Sequence, residues 1–459
     1  MIGIVDSEIR IVGADSRVKD YCKEKLTLSN PDYEKKRRMG MWVGSTPKTI
    51  KFYYTDGDDY IVPFGCLKDM VQIIGKSNFE IKIPKHDTIG GWGNSVPLYD
   101  YQQEAVDNMI KAHYGILQSK AGSGKTQMGI AMAQKIGKKC LWITHTLDLL
   151  NQSKARAEQY MPKNTLGTIA SGKVAIGSHI TFATVQTLSK LNLNEFRYMW
   201  DCIIVDECHR CCSTVNEATM FGKVLNSLAA RHKYGLSATV HRADGLIQGC
   251  FALLGNVAYR VPDEAIADKV MEVEVNTIYT GTKLTYEYLN FDGTIKWNRL
   301  IDCLVDNKER NELIVDSLED RPTLILSCRL EHLEALRSML PRDKLDKSAF
   351  ISGKMTTKKG RIEREQAIED MRTGKKQYLF ATYQLAKEGL DIPRLERLLL
   401  TTPEKDYAVI VQSIGRVARV CEGKDKPYVL DFVDDVKTLY RKYKERCRIY
   451  KKENVRINE

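Results

Sequence analysis

Twice along this chain, short apolar runs alternate with stretches of helical spacing, and no other feature constrains the fold as much. "YGILQSK", "KCLWITHT", "CIIVDE" and "KYGLSATV" are compact apolar runs, each leading into a polar turn. Helical spacing lies between and before them, as in "YQQEAVDNMIKAHY". Strands alternating with helices predict a parallel sheet covered on both faces. This first α/β unit is expected to end near Arg242. The alternation resumes with "PTLILSC", "KSAFISG", "QYLFATY", "RLERLLLTTP" and "PYVLDF", which predict a second unit over about 311–436. The stretch between is poorly periodic, and hairpins are expected in "VMEVEVNTIYTG".

The chain has 459 residues, more than a single core usually serves. Its first 90 or so carry short apolar runs broken by Gly, Pro and Asp. "TIKFYYTDGDDYIVPFG" reads as a strand, a DG turn and a strand, and "GCLKDMVQIIG" as a short helix. "KHDTIGGWGNSVPLYD" has the composition of a linker. The expected organisation is a small mixed α+β accessory domain over 1–90, a first α/β domain with connector over 91–310, and a second over 311–459 with a basic tail.

No run of eighteen apolar residues occurs, so no membrane span is expected. The N-terminal stretch does not resemble a signal peptide, and a cytoplasmic location follows as the expectation. Twelve cysteines without an export signal predict free thiols. Cys208 and Cys211 have CxxC spacing, but no second CxxC follows at the distance a zinc finger needs. Net charge is +11, which permits a nucleic-acid partner. Lys437–Glu459 holds nine basic residues against three acidic ones. That suits either a solvated end or a phosphate-contacting surface.

Chemistry enters at "SKAGSGKTQMGIAM", Ser119–Met132. Backbone N–H groups in a tight glycine turn bind phosphate oxygens, and the following helix N-terminus favours their charge. Ala121, Gly122, Ser123 and Gly124 form the turn. Lys125 suits the β and γ phosphates of a nucleotide, and Thr126 suits Mg²⁺. The second piece is "CIIVDECH": an apolar strand delivers Asp206 and Glu207 at its C-terminal end, the edge of a parallel sheet where ligands bind. Asp206 suits Mg²⁺ and Glu207 suits a base for the attacking water. These features alone fit a kinase, a transporter ATPase or a motor. The transporter signature "LSGGQ" does not occur.

In order and spacing, the motifs over about 98–434 resemble those of superfamily-2 helicases of the DExH type. The nearest branch is the phage recombination and repair helicases related to the eukaryotic excision-repair helicase. The resemblance implies two tandem RecA-like P-loop domains, with ATP and Mg²⁺ as cofactors and single-stranded or branched DNA as partner. "LYDYQQEA" resembles the adenine-reading segment, with Gln102 as reader. "THTLDLLNQ" and "FATVQTL" resemble strand-contacting motifs, which assigns Thr146, Thr184 and Gln186 to nucleic acid. "DECH" is the acid motif, with His209 relaying between domains. "SAT" (Ser237, Ala238, Thr239) resembles the motif coupling hydrolysis to movement, and "VHRADG" resembles this branch in particular. "FATYQLAKEGLDIPRLERLLLTTP" resembles a motif touching nucleic acid through Thr382 and nucleotide through Gly389 and Asp391. "QSIGRVAR" supplies Gln412, Arg416 and Arg419. A guanidinium fork neutralises charge on a transferring phosphoryl group, although an i,i+3 pair also fits one exposed helix face.

The implied activity is ATP-dependent unwinding or remodelling of DNA, with ATP held between the two α/β units. An RNA helicase, or a nucleic-acid-binding module without productive hydrolysis, are the alternatives. Residues 1–90 are expected to recognise branched DNA.

Overall fold

The computed structural model describes residues 1–212, 215–240, 246–284, 288–355, 357–387 and 390–458. It divides into two compact units. One holds Met1–Lys120 with Gly124–Ala265; the other holds Ile266–Glu459 with the short segment Ala121–Ser123.

The first unit is built on an eight-stranded sheet. Its order is Lys173–Ala175, Leu166–Ala170, Ile180–Thr184, Cys140–Thr144, Cys202–Asp206, His232–Ser237, Tyr114–Gln118 and Val257–Arg260. Every pairing is parallel except the first, at the edge. All five residues of Cys140–Thr144, Ile180–Thr184 and Cys202–Asp206 are buried. Helices covering both faces leave no polar side, so these strands read as unbroken apolar runs.

The front segment carries its own mixed sheet, ordered Tyr54–Asp56, Asp59–Pro63, Glu8–Val12, Ile2–Val5 and Phe79–Ile81. The expected DG hairpin is there: Tyr54–Asp56 pairs antiparallel with Asp59–Pro63, and Gly57 takes a φ of +61°. The expected short helix is Leu67–Ile74. This subdomain shares a core with the elements around the larger sheet, where Val5, Ile9 and Met70 cluster with Ala229 and Ala252. Lys233, fully buried, donates to the Ser7 and Leu225 carbonyls at 3.0 and 2.8 Å and lies 4.8 Å from the Phe64 ring centre. Arg197 pairs with Asp6 at 2.8 Å. A Cβ on Gly65 would stand 2.3 Å from the Gly255 nitrogen, so the two backbones touch there. The glycine-rich stretch after Lys85 is strapped down too. His179 bonds the Gly90 carbonyl at 2.9 Å, and Gln134 donates to the Trp92 and Asn94 carbonyls.

The second unit has a seven-stranded sheet, parallel throughout: Ser348–Phe350, Tyr378–Thr382, Thr323–Ser327, Arg397–Leu400, Tyr428–Val433, Glu274–Tyr279 and Arg456–Asn458. Hairpins were expected in "VMEVEVNTIYTG". The segment instead forms one inner strand, Glu274–Tyr279, paired on both sides. The sequence reading sets the change of domain near 310, whereas this strand belongs to the second sheet and the compact units divide at 265/266. The basic tail is a helix, Lys437–Lys452, with Leu439, Tyr443, Arg446, Cys447, Ile449 and Tyr450 buried. Arg446 grips Asp431 through two bonds of 2.8 and 2.7 Å. One cation of the tail is therefore a core group.

All twelve cysteines are free. Among the described residues no helix is long and apolar enough to cross a membrane.

Candidate nucleotide site and strand-contacting loops

The phosphate loop leaves the strand Tyr114–Gln118 and enters the helix Lys125–Ile136. Gly122 and Gly124 have φ of +87° and +81°, which only glycine adopts without strain. The loop is tied to the next strand by Ser119 N–H donating to the Ser237 carbonyl at 3.0 Å. Lys125 is buried and donates to the Ser119 and Lys120 carbonyls at 3.3 and 3.4 Å. Gln102 is buried beside the loop: its Nε2 would stand 2.4 Å from a Cβ on Gly124. Its Oε1 accepts from Tyr99 N–H at 3.0 Å, so the side chain also closes the first turn of its own helix.

Asp206 ends its strand buried. It accepts from Ser153 Oγ at 3.2 Å and from Glu207 N–H at 3.0 Å. Burial, then the charge of Glu207, pushes the Asp206 carboxyl up to about 7, while Lys125 draws it down. Glu207 has a φ of +48°, a left-handed conformation rare for a non-glycine residue. Such strain marks functional sites, where surrounding structure enforces it. Glu207 Oε2 lies 3.3 Å from His209 Nδ1, which lies 3.1 Å from Ser237 Oγ. Ser237 Oγ in turn donates to the Thr239 carbonyl at 2.6 Å and accepts its N–H at 3.1 Å. His209 Nδ1 therefore faces both Glu207 and Ser237, and the hydrogen-bonded run is His209–Ser237–Thr239, with Glu207 a close neighbour of its first member. His209 Nε2 is buried with no partner among the described residues.

These groups suit Mg²⁺ and a nucleotide polyphosphate. A buried carboxylate raised by a like charge is relieved by a divalent cation, and Asp206 with the Thr126 hydroxyl at the helix start offers oxygen donors of the kind Mg²⁺ takes. Such a cation supplies charge neutralisation at the phosphates.

The loops assigned to nucleic acid also converge in the first unit. Thr146 follows Cys140–Thr144 and caps the helix Leu147–Ala157, accepting from Leu149 N–H at 3.3 Å. Thr184 ends the neighbouring strand, and Gln186 donates to the His145 carbonyl at 2.8 Å. Arg210, two residues beyond Cys208, lies 3.3 Å from His145 Nδ1. The acid motif and this loop are thereby linked. Sequence reading assigned no role to Ser153 or Arg210. Ser153 meets Asp206 across 53 positions, a separation that leaves no local signal.

In the second unit, the helix Tyr407–Val417 carries Gln412 and Arg416. Arg416 donates to the Ala386 and Leu390 carbonyls at 3.0 and 3.2 Å. Arg419 is past the helix end, so the pair does not form one helix face. It bridges to Val270 and forms an ion pair with Asp391. Two residues assigned separately to nucleotide are thus partners. Gln412 is buried, and its Oε1 has no partner among the described residues. Thr382 ends its strand half-buried. Gly389, and 241–245 of "VHRADG", lie outside the described residues.

A glycine turn, a lysine and a strand-end acid pair on a parallel sheet define a P-loop nucleotide-binding domain. Two family models match the chain: "Type III restriction enzyme, res subunit" over residues 95–242 and "Helicase conserved C-terminal domain" over 298–421. The chain belongs to the superfamily-2 helicases, with two RecA-like domains. Among similar proteins, one of Acanthamoeba polyphaga mimivirus, named as a candidate ATP-dependent RNA helicase, is 27% identical over 79% of this chain and 69% of its own. A candidate helicase of Escherichia phage T5 is 26% identical over 95% of this chain and 91% of its own. A DNA 3'-5' translocase of Sulfurisphaera tokodaii is 24% identical over 73% and 81%.

Proposed function

We propose that this helicase is a DNA-stimulated ATPase that unwinds or remodels branched DNA in replication, recombination or repair. The observation that carries the reading is His209, whose Nδ1 faces both the Glu207 carboxylate and the Ser237 hydroxyl. It sets the hydrolytic acid close to the serine that bonds the Thr239 backbone, so a change at the phosphates has a neighbour through which to reach the end of the next strand. In this reading Gly122, Gly124 and Lys125 bind and orient the polyphosphate, Gln102 reads the base, and Glu207 takes the proton of the attacking water. Thr126 and Asp206 hold Mg²⁺. Arg416 and Arg419 bring positive charge to the transferring phosphoryl group, with Gln412 on the same helix as Arg416 and Asp391 paired to Arg419. Thr146, Thr184, Gln186 and Thr382 touch the strand backbone, and the front subdomain favours forks and junctions.

DNA is supported by the name of the Sulfurisphaera relative; the name of the mimivirus relative favours the RNA reading. Backbone contacts carry little sequence information and do not decide between them. ATP turnover with single-stranded DNA, duplex DNA, forked DNA and RNA, measured side by side with strand displacement on the fork, tests the proposal. Stimulation by DNA and displacement of the fork are expected. Stimulation by RNA alone would overturn the DNA assignment.

A further inference from the structure

The segment Asn30–Lys48 projects from the front subdomain. Its neck is an antiparallel ribbon pairing Thr27–Ser29 with Thr49–Lys51. Asn30 closes it, with its N–H on the Lys48 carbonyl at 3.0 Å and its Nδ2 on the Pro47 carbonyl at 2.8 Å. Leu28, Ile50 and Phe52 anchor the neck on the core of the first unit's large sheet. Beyond the neck the picture reverses, because no residue of the helix Pro31–Arg38 is buried. The turn after it exposes Met39, Met41 and Trp42 at 63, 55 and 88%. The Trp42 ring rests on Gly44, whose added Cβ would stand 2.7 Å from it. Folding makes little use of these apolar side chains, although the same segment is held firmly at its base.

Charge distinguishes what such a tip can meet. Asn30–Lys48 holds Lys35, Lys36, Arg37, Arg38 and Lys48 against Asp32 and Glu34. None of the five cations forms an ion pair with a described residue. Lys36 donates to Thr46 Oγ1 at 2.7 Å and Arg38 to the Glu34 carbonyl at 3.3 Å. Cations at a helix C-terminus complement its dipole, which accounts for some of them. It does not account for three exposed apolar side chains following them. Four consecutive basic residues sweep about 300° around a helix. They leave no apolar stripe of the kind that beds a helix into a bilayer surface. Unpaired nucleic acid has the matching chemistry: a flexible row of phosphates, and base faces that stack on aromatic rings whatever their sequence.

We propose that this projection is a second nucleic-acid contact, apart from the motor loops. It takes one unstacked base on Trp42 and the flanking phosphates on Lys35, Arg37, Arg38 and Lys48. A closed duplex buries its base faces, so the preferred ligand is an unpaired strand; that it lies next to a junction rests on the fork-favouring role proposed above for the front subdomain. That the strand is DNA rests on the reading of the motor given above.

The test uses the full chain and a forked DNA with 2-aminopurine at the first unpaired position. Trp42→Ala should weaken fork binding about tenfold, the scale of one lost stacking contact, and abolish the 2-aminopurine quench. Trp42→Phe should keep most of both. Replacing Lys35, Arg37, Arg38 and Lys48 with Gln should flatten the plot of log affinity against log salt by about 3, the slope expected for four contacts to a single strand. ATP turnover at saturating DNA and the melting temperature should match the wild type in every variant. If the wild type is stimulated by DNA yet Trp42→Ala binds the fork and quenches the probe as before, the projection proposal falls while the motor reading stands. If the wild type itself ignores DNA, the motor reading falls first. Phosphatidylserine vesicles form a second arm: membrane binding that depends on Trp42, with fork binding unchanged, would overturn the nucleic-acid assignment.

Discussion

The two units place a serine and a histidine side by side at strand ends and put them to opposite use. In the second unit, His332 Nδ1 lies 3.1 Å from Ser327 Oγ and its Nε2 lies 3.0 Å from Asn311. Both ring nitrogens have partners, and burial pushes the imidazole down to about 3. In the first unit, His209 Nδ1 lies 3.1 Å from Ser237 Oγ, but it also faces Glu207, and its Nε2 has no partner among the described residues. The carboxylates repeat the contrast. Asp431 is gripped by Arg446 and by the Tyr450 hydroxyl, the latter at 2.7 Å. Asp206 has a serine hydroxyl and one N–H, and stays raised beside Glu207. One sheet spends its polar groups on its own cohesion. The other leaves some of them unsatisfied, which the nucleotide and cation of the proposed function would relieve.

The largest expected effect follows from removing the group with no structural substitute. Lys125→Ala should abolish ATP turnover, a loss of at least about 10³-fold given what a phosphate-clamping cation contributes. Turnover at saturating DNA measures it, with a melting curve to confirm folding. Next comes Glu207→Gln, which keeps the shape and loses the base. Hydrolysis should fall about 10²- to 10⁴-fold while ATP affinity holds. Binding lost with chemistry intact in the bound fraction would contradict the assignment.

Arg446→Ala sharpens the contrast from the other side. It strands a buried carboxylate, which should cost about 3–5 kcal/mol of stability in the second unit. Denaturant melts read this directly, and a loss under about 1 kcal/mol would make the pair ornamental. The last effect builds gradually with pH and concerns the seat of the front subdomain on the large sheet. Burial pushes the Lys233 ammonium down to about 7, against the pull of Glu8 and Asp6. The unfolded chain binds this proton up to a higher pH than the folded one does. Stability should therefore rise as pH goes from about 7 towards the ordinary lysine value of about 10.4, because the folded state has already shed the buried charge. Melts of Lys233→Met across that window should lack the rise.

Much of this was legible in the sequence. Fully buried parallel strands leave continuous apolar runs, and the phosphate loop announces itself through two glycines that need positive φ. The inner strand Glu274–Tyr279 was not legible. Its "EVEV" alternation imitates a half-buried antiparallel hairpin, while its true partners lie more than 150 positions away. Nor was the seat of the front subdomain, since Lys233 meets Ser7 across 226 positions. In Arg446 a basic residue that reads as surface charge is a core group, because only the fold supplies Asp431.

We propose that hydrolysis needs both units, the first for binding and attack, the second for its arginines. The most direct measurement compares the full chain with one ending at Ala265, where the first unit closes, under saturating ATP and single-stranded DNA. The shortened protein should fold, bind ATP weakly and turn it over at least about 10²-fold more slowly, the scale of lost charge stabilisation in the transition state. Hydrolysis by that fragment at the full DNA-stimulated rate would contradict the account.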